Sequence, residues 1–295
     1  MGLYGRPAVT SHDPLLIHVE WPVPPGHDRP GGLPGGPRRP GSAGASVRPA
    51  VRERERAAVT LVHGFTQNGR CWSPFDRLLA GVGAVATVDL PGHGRSGPAT
   101  GDLWATGRAV VGRAPAEAHV GYSMGGRVLL HAALAAPEAL ARLVLIGAHP
   151  GIEDAEARHR RREEDERRAG SLERGGLGPF LDEWLTQPLF ARLDPGRSHR
   201  EERLTNDPIA VAQALRTLGT GTQEPLWDRL PALGMPVLFV AGEHDDRYRA
   251  VGERTVEAVG ANATLVVVPG AGHAAHLEEP GRTAGLVLDW LDHTG

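Results

Sequence analysis

The sequence predicts an α/β fold, with a mostly parallel central sheet flanked on both faces by helices and a helical cap inserted into it. Short apolar runs alternate with helical stretches along most of the chain. Each run stops at a loop rich in glycine and polar residues. From about residue 152 to 224 the rhythm gives way to helical, highly charged sequence without a convincing strand. Runs that are apolar throughout belong to strands covered on both sides, which are the strands of parallel sheets.

Residues 15–21 read as a first strand. A Pro/Gly-rich stretch from Pro22 to Pro49 and the charged run 52–56 follow, too poor in apolar side chains to order themselves. Residues 1–58 are therefore expected to hold that strand and an expanded surface loop. Residues 59–62 form a buried strand ending at His63-Gly64-Phe65, 76–79 a helix, and 82–90 a strand ending in Asp89-Leu90-Pro91-Gly92-His93-Gly94. Residues 118–120 lead into Gly121-Tyr122-Ser123-Met124-Gly125, and 128–134 lead out as a helix. Later strands are 143–146, 236–241 and 265–268, with a helix at 250–259. The core is thus expected at 59–151 and 225–295, and the cap at 152–224 after the sixth strand. In such sheets the site lies beyond the carboxyl ends of the strands.

Composition removes several functions. The formal net charge is −3 over 295 residues, with no basic footprint for nucleic acid. There is no lysine, which rules out lysine Schiff bases and a P-loop. A single cysteine, Cys71, excludes an internal disulfide and suits a reducing compartment. No apolar run is long enough for a membrane span, and residues 1–14 lack the apolar core of a signal peptide. A cytoplasmic protein without metal or cofactor is expected. Its oligomeric state is not written in the sequence.

The stretch 121–125 has the form GxSxG, a nucleophile elbow that lifts a serine hydroxyl out of a sheet. A serine needs an adjacent base. His273, after the last strand, is the candidate base, and Asp245 the carboxylate that orients it. His276 is a rival, read as a surface or helix-cap histidine, and Asp246 ranks behind Asp245. The order Ser, Asp, His is that of the α/β-hydrolase fold. The amides of Phe65 and Met124 would form an oxyanion hole. His63, His93 and His149 read as residues that pack their loops. Arg127 lies one turn beyond the serine. In the cap, Arg158, Arg161 and Arg162 share a helix face, although Glu163, Glu164, Asp165 and Glu166 also explain the run as ion pairs. A small anionic substrate follows.

The chain resembles the 2-succinyl-6-hydroxy-2,4-cyclohexadiene-1-carboxylate synthases of menaquinone biosynthesis, a branch of the α/β-hydrolase superfamily. The resemblance rests on Gly125-Gly126-Arg127 at the elbow, on His149-Pro150-Gly151 followed by Glu156, Arg158 and Arg161, and on Trp184-Leu185-Thr186-Gln187-Pro188-Leu189-Phe190. It implies that Ser123, activated by His273 and Asp245, removes a proton beside a ketone so that pyruvate is expelled. It also implies that Arg127, Arg161 and Arg203 bind substrate carboxylates while Tyr122 and Trp184 contact the substrate. Each has a plainer alternative: Tyr122 packing the elbow, Trp184 the cap core, Arg203 a surface ion pair with Glu201 or Glu202. Arg247 stands where some members have lysine. The competing functions are an ester or carbon–carbon bond hydrolase with the same three residues, and a non-catalytic ligand-binding protein.

Overall fold

The computed structural model describes residues 16–21 and 57–294. The Pro22–Pro49 stretch and the charged run 52–56 lie outside the described residues. In chain order the elements are β1 (His18–Glu20), β2 (Ala57–Val62), α1 (Phe75–Leu79), β3 (Val85–Asp89), α2 (Leu103–Arg113), β4 (Ala116–Tyr122), α3 (Met124–Ala135) and β5 (Leu143–Ile146). The inserted helices α4 (Ala155–Gly175), α5 (Leu177–Trp184), α6 (Arg200–Leu204) and α7 (Pro208–Leu218) come next. The chain then closes with β6 (Val237–Gly242), α8 (Asp246–Val259), β7 (Ala263–Val268), α9 (Ala275–Glu278) and α10 (Pro280–His293).

Among the described residues the strands form one seven-stranded sheet in the order β1-β3-β2-β4-β5-β6-β7. Every pairing is parallel except that of β1, which runs antiparallel to β3 at the edge. β1, at His18–Glu20, is shorter than the expected strand, and Leu16 before it is 67% exposed. The central strands bury both faces. Val62, Leu143, Leu145, Val237 and Phe239 point into one apolar layer with α2, α3 and α8. Leu61, Val120, Val144, Ile146 and Val240 point into the other, with α1 and α10. That two-sided burial explains the unbroken apolar runs in the sequence.

The insertion follows β5, the fifth strand among the described residues. It carries an apolar cluster of its own, built from Ala169 and Leu172 of α4, Phe180 and Leu181 of α5, and Val211 and Leu215 of α7. Phe65, in the loop after β2, packs against this cluster beside Trp184 of α5, so the cap rests over the strand ends. No helix among the described residues is long and apolar enough to cross a membrane.

Candidate active site

Ser123 joins β4 to α3 with φ 48° and ψ −106°, a backbone shape that residues other than glycine avoid. Its N–H donates to the Ile146 carbonyl at 2.9 Å, and its own carbonyl accepts the Arg127 N–H at 3.0 Å. The flanking glycines are sterically required. A Cβ on Gly125 would lie 2.0 Å from the Val62 carbonyl oxygen, and one on Gly121 would lie 2.6 Å from the Gly126 Cα. The elbow therefore forms only where the chain is stripped of side chains at both points.

Asp245 and His273 leave the neighbouring strands β6 and β7, whose last residues Gly242 and Val268 are paired in register. His273 Nδ1 donates to Asp245 Oδ2 at 2.8 Å, while Asp245 Oδ1 accepts the Tyr248 N–H at 3.2 Å. This sets the imidazole tautomer with its proton on Nδ1. The Nε2 lone pair is buried and has no partner among the described residues. Ser123 Oγ does not reach it, as is common in free enzymes, where such bonds tighten once substrate is seated. The histidine loop is braced by Glu278, whose carboxylate accepts the N–H groups of Gly272 and Ala274. Gly147 leaves room for the ring, since a Cβ there would lie 2.8 Å from His273 Cε1.

The rivals are placed elsewhere. Asp246 is exposed and pairs with Arg249. His276 is not a surface or capping histidine. It is buried between Trp72 and Tyr122, ring centroids 4.6 and 4.4 Å away, and burial holds it well below the usual histidine pKa. The amides of Phe65 and Met124 donate to no acceptor among the described residues, which leaves both free for an incoming oxygen.

A cavity of about 250 Å³ opens over Ser123 and His273, roofed by the cap. Tyr122, Arg127, Arg161, Trp184 and Arg203 all line it, as do Phe65 and Met124. Arg127 and Arg203 are buried, 6% and 1% exposed. Neither pairs with a carboxylate among the described residues. Arg127 donates to the Leu218 carbonyl at 2.7 Å; Arg203 donates to the Ser198 carbonyl at 2.8 Å and to Thr66 Oγ1. Burial lowers the pKa of Arg127 to about 10, so the charge persists at neutral pH. Arg203 is thus no surface partner of Glu201 or Glu202. Arg161 is held by Asp165 at 2.8 Å, and Asp165 Oδ2 also accepts the Gly221 N–H at 3.1 Å.

Arg158 is the exception among the expected substrate residues. Its guanidinium turns back to the Ile152 and Glu153 carbonyls at 2.6 and 3.1 Å and does not line the cavity. Helical spacing placed it one turn before Arg161, but the free carbonyls leading into α4 capture it. Arg162 likewise reaches the Gly221 carbonyl. Tyr122 and Trp184 both pack and line. The Tyr122 ring lies 5.4 Å from that of His273, and Trp184 stacks on Phe180 at 5.8 Å.

Sequence reasoning missed two lining groups. His149, set aside as a packing residue, borders the cavity beside Tyr248. Its Nδ1 accepts the Gly151 N–H at 2.9 Å, and burial, with Arg247 and Arg127 nearby, lowers its pKa to about 4. It is a neutral ring with its proton on Nε2. Arg168 lines the cavity over Trp184 while paired with Glu164 at 2.6 Å. The available signal was position: His149 sits in the loop after β5, at the same sheet edge as the serine.

Residues 61–286 match the Alpha/beta hydrolase family. A relative from Salmonella paratyphi C (strain RKS4594), named 2-succinyl-6-hydroxy-2,4-cyclohexadiene-1-carboxylate synthase, is 32% identical over 242 residues, 78% of this chain and 90% of that protein. A Bacillus subtilis (strain 168) relative, provisionally named for the same synthase, is 33% identical over 248 residues, 79% of this chain and 90% of its own. Among solved structures, MenH from S. aureus superposes with a TM-score of 0.75 at 28% identity, covering 82% of this chain and 96% of that one. A seven-stranded sheet, a serine elbow and similarity along most of the chain agree: this chain belongs to the alpha/beta hydrolase family, on the branch whose curated relatives are named 2-succinyl-6-hydroxy-2,4-cyclohexadiene-1-carboxylate synthase.

Proposed function

We propose that the protein is a carbon–oxygen lyase of menaquinone biosynthesis. It eliminates pyruvate from 2-succinyl-5-enolpyruvyl-6-hydroxy-3-cyclohexene-1-carboxylate and leaves 2-succinyl-6-hydroxy-2,4-cyclohexadiene-1-carboxylate. The observation that carries this reading is the pair Arg127 and Arg203, buried in the lining of the cavity that holds Ser123 and His273 and matched by no carboxylate among the described residues. A buried charge left unpaired is costly. A ligand that brings anions removes that cost, and this substrate carries carboxylates on the succinyl arm, the ring and the enolpyruvyl group. A neutral ester would leave both guanidinium groups unanswered.

The chemistry needs a base, a donor for an oxygen and a dry cavity. His273 Nε2 takes the Ser123 Oγ proton as Oγ takes the proton from C2, beside the succinyl ketone. Asp245 stabilises the imidazolium that results. The C2–H electron pair forms the C2–C3 double bond, the C3–C4 double bond moves to C4–C5, and the C5–O bond breaks. Pyruvate leaves as its enolate and is then protonated at carbon. As the ketone oxygen gains charge, the Phe65 and Met124 amides hold it. No water attacks and no acyl-enzyme forms.

The test is a coupled assay of pyruvate release from the enolpyruvyl substrate, with Ser123→Ala beside the wild type. Rapid release that the variant loses is the expected result. No release by the wild type, with turnover of a p-nitrophenyl ester, would move the protein to the hydrolases.

A further inference from the structure

One buried side chain outside the cavity ties the cap to the loop that carries the Phe65 amide. Thr66, the next residue, has φ 66°, a region that β-branched residues avoid. Three contacts hold it there. Its N–H donates to His93 Nε2 at 3.3 Å, its Oγ1 receives the Arg203 guanidinium, and its carbonyl accepts Asn206 Nδ2 at 2.7 Å. Asn206 Oδ1 accepts the Gly94 N–H at 2.7 Å. Asn206 follows α6 in the cap, is 5% exposed and does not line the cavity. Its amide therefore bridges two strand-end loops, one after β2 and one after β3.

At the point that matters the loop is held by its contacts rather than by its own dihedrals. Gly64 precedes Phe65, and a glycine restrains its dihedrals weakly. The Gly64–Phe65 peptide, whose N–H is the oxyanion donor, is kept in place by the turn it belongs to. That turn is closed by the Gln67 N–H and His63 Nδ1 on the Gly64 carbonyl at 3.2 and 2.8 Å, by the Gly64 N–H on Gln67 Oε1 at 2.9 Å, and by the locked Thr66. We propose that Asn206 is a positioning residue for the Phe65 amide: by fixing the Thr66 carbonyl, the cap aims the oxyanion donor in the core. The proposal rests on the reading of that amide as an oxyanion donor. It makes cap and oxyanion hole one unit, with Arg203 contributing to both.

The experiment compares wild type, Asn206→Ala and Asn206→Asp in pyruvate release and in binding of phenylboronic acid. The boronate forms a tetrahedral serine adduct whose oxygen needs the oxyanion donors but not the arginines. Asn206→Asp is isosteric, so it keeps the packing should the alanine variant fail in a thermal melt. It also keeps the acceptor for the Gly94 N–H and replaces the donor to Thr66 with a carboxylate oxygen that repels the Thr66 carbonyl. Removing one oxyanion donor costs about 10²–10³-fold in kcat, so misaiming one should cost about 10–100-fold. We expect that loss in kcat and in boronate affinity for both variants, with KM within about threefold of wild type. Wild-type values in Asn206→Asp would overturn the proposal, because the Gly94 bond alone would then suffice. So would a change confined to KM. If the wild type releases no pyruvate but both variants bind boronate weakly, the lyase reading falls and this proposal stands. A wild type that binds no boronate would remove the donor role of Phe65 and the proposal with it.

Discussion

The cavity has two halves that are held together in different ways. The floor, formed by Ser123, His273, Phe65 and Met124, is set first by main chain, through parallel strands in register and an elbow that admits only glycine at 121 and 125, with buried side chains bracing its loops. The roof, with Arg161, Arg168, Trp184 and Arg203, is set by side chains bonded to other side chains and to loop carbonyls. A floor fixed by backbone tolerates drift in the surrounding sequence while keeping its geometry. A roof fixed by side chains can be rewritten residue by residue. The difference separates the serine elbow that the sheet presents from the recognition of carboxylates proposed for the residues above it.

The largest effect should come from breaking the floor. His273→Gln removes the base while the fold, carried by strands and glycines, stays intact. We expect kcat for pyruvate release to fall by about 10³–10⁶-fold, with a melting temperature within a few degrees of wild type. A fall in kcat of less than tenfold would mean that another group serves as the base. The cations that line the cavity should fail differently. Arg127→Met removes a buried charge that lacks a carboxylate, so stability should hold or rise slightly. KM for the polycarboxylate substrate should rise by about 10²–10³-fold, while boronate affinity stays near wild type. Unfolding in a melt would show that its bond to Leu218 is structural first. A smaller effect is expected from Asp165→Asn, which keeps the shape that meets Arg161 and Gly221 but removes the charge. Steady-state kinetics should show KM up about 3–10-fold and kcat unchanged.

Much of the floor was legible in the sequence because it is local. GxSxG, HGF and the loops at 242–245 and 269–273 each follow an apolar run, and parallel strands bring all such loops to one edge. The roof was less legible, because helical spacing gives a face but not a destination. Arg158 and Arg161 are three residues apart, yet one is drawn to the carbonyls at the start of α4 and the other is steered into the cavity by Asp165. His276 was misread because three residues beyond His273 suggests a surface, whereas α9 turns it inward between Trp72 and Tyr122. Asn206 carried no sequence signal, since its partners Thr66 and Gly94 lie more than a hundred residues away.

The subtlest way to separate the halves is pH. The floor loops are braced by neutral histidines: His63 Nε2 accepts the Leu90 N–H at 2.9 Å, and His93 Nε2 accepts that of Thr66. Burial lowers their pKa values to about 4 and about 3, against about 6.5 in an unfolded chain. Between those values the unfolded chain binds more protons than the folded one. Stability is therefore complete above about pH 6.5 and is lost as pH falls towards 4. The roof has no such window. Its conspicuous shifts, Glu166 and Glu173 lowered by bonds to Arg216, sit on exposed carboxylates and act only below about pH 4.5. Thermal melts should be flat from pH 8 to 7 and decline from 6.5 to 5. Each buried histidine should contribute roughly 1 kcal/mol of loss at pH 5.5. His93→Gln offers an amide oxygen to the same Thr66 N–H without titrating, so its decline should be shallower by about one proton's worth. An unchanged slope would mean that His93 is not held neutral in the fold, and that the floor owes its acid sensitivity to other groups.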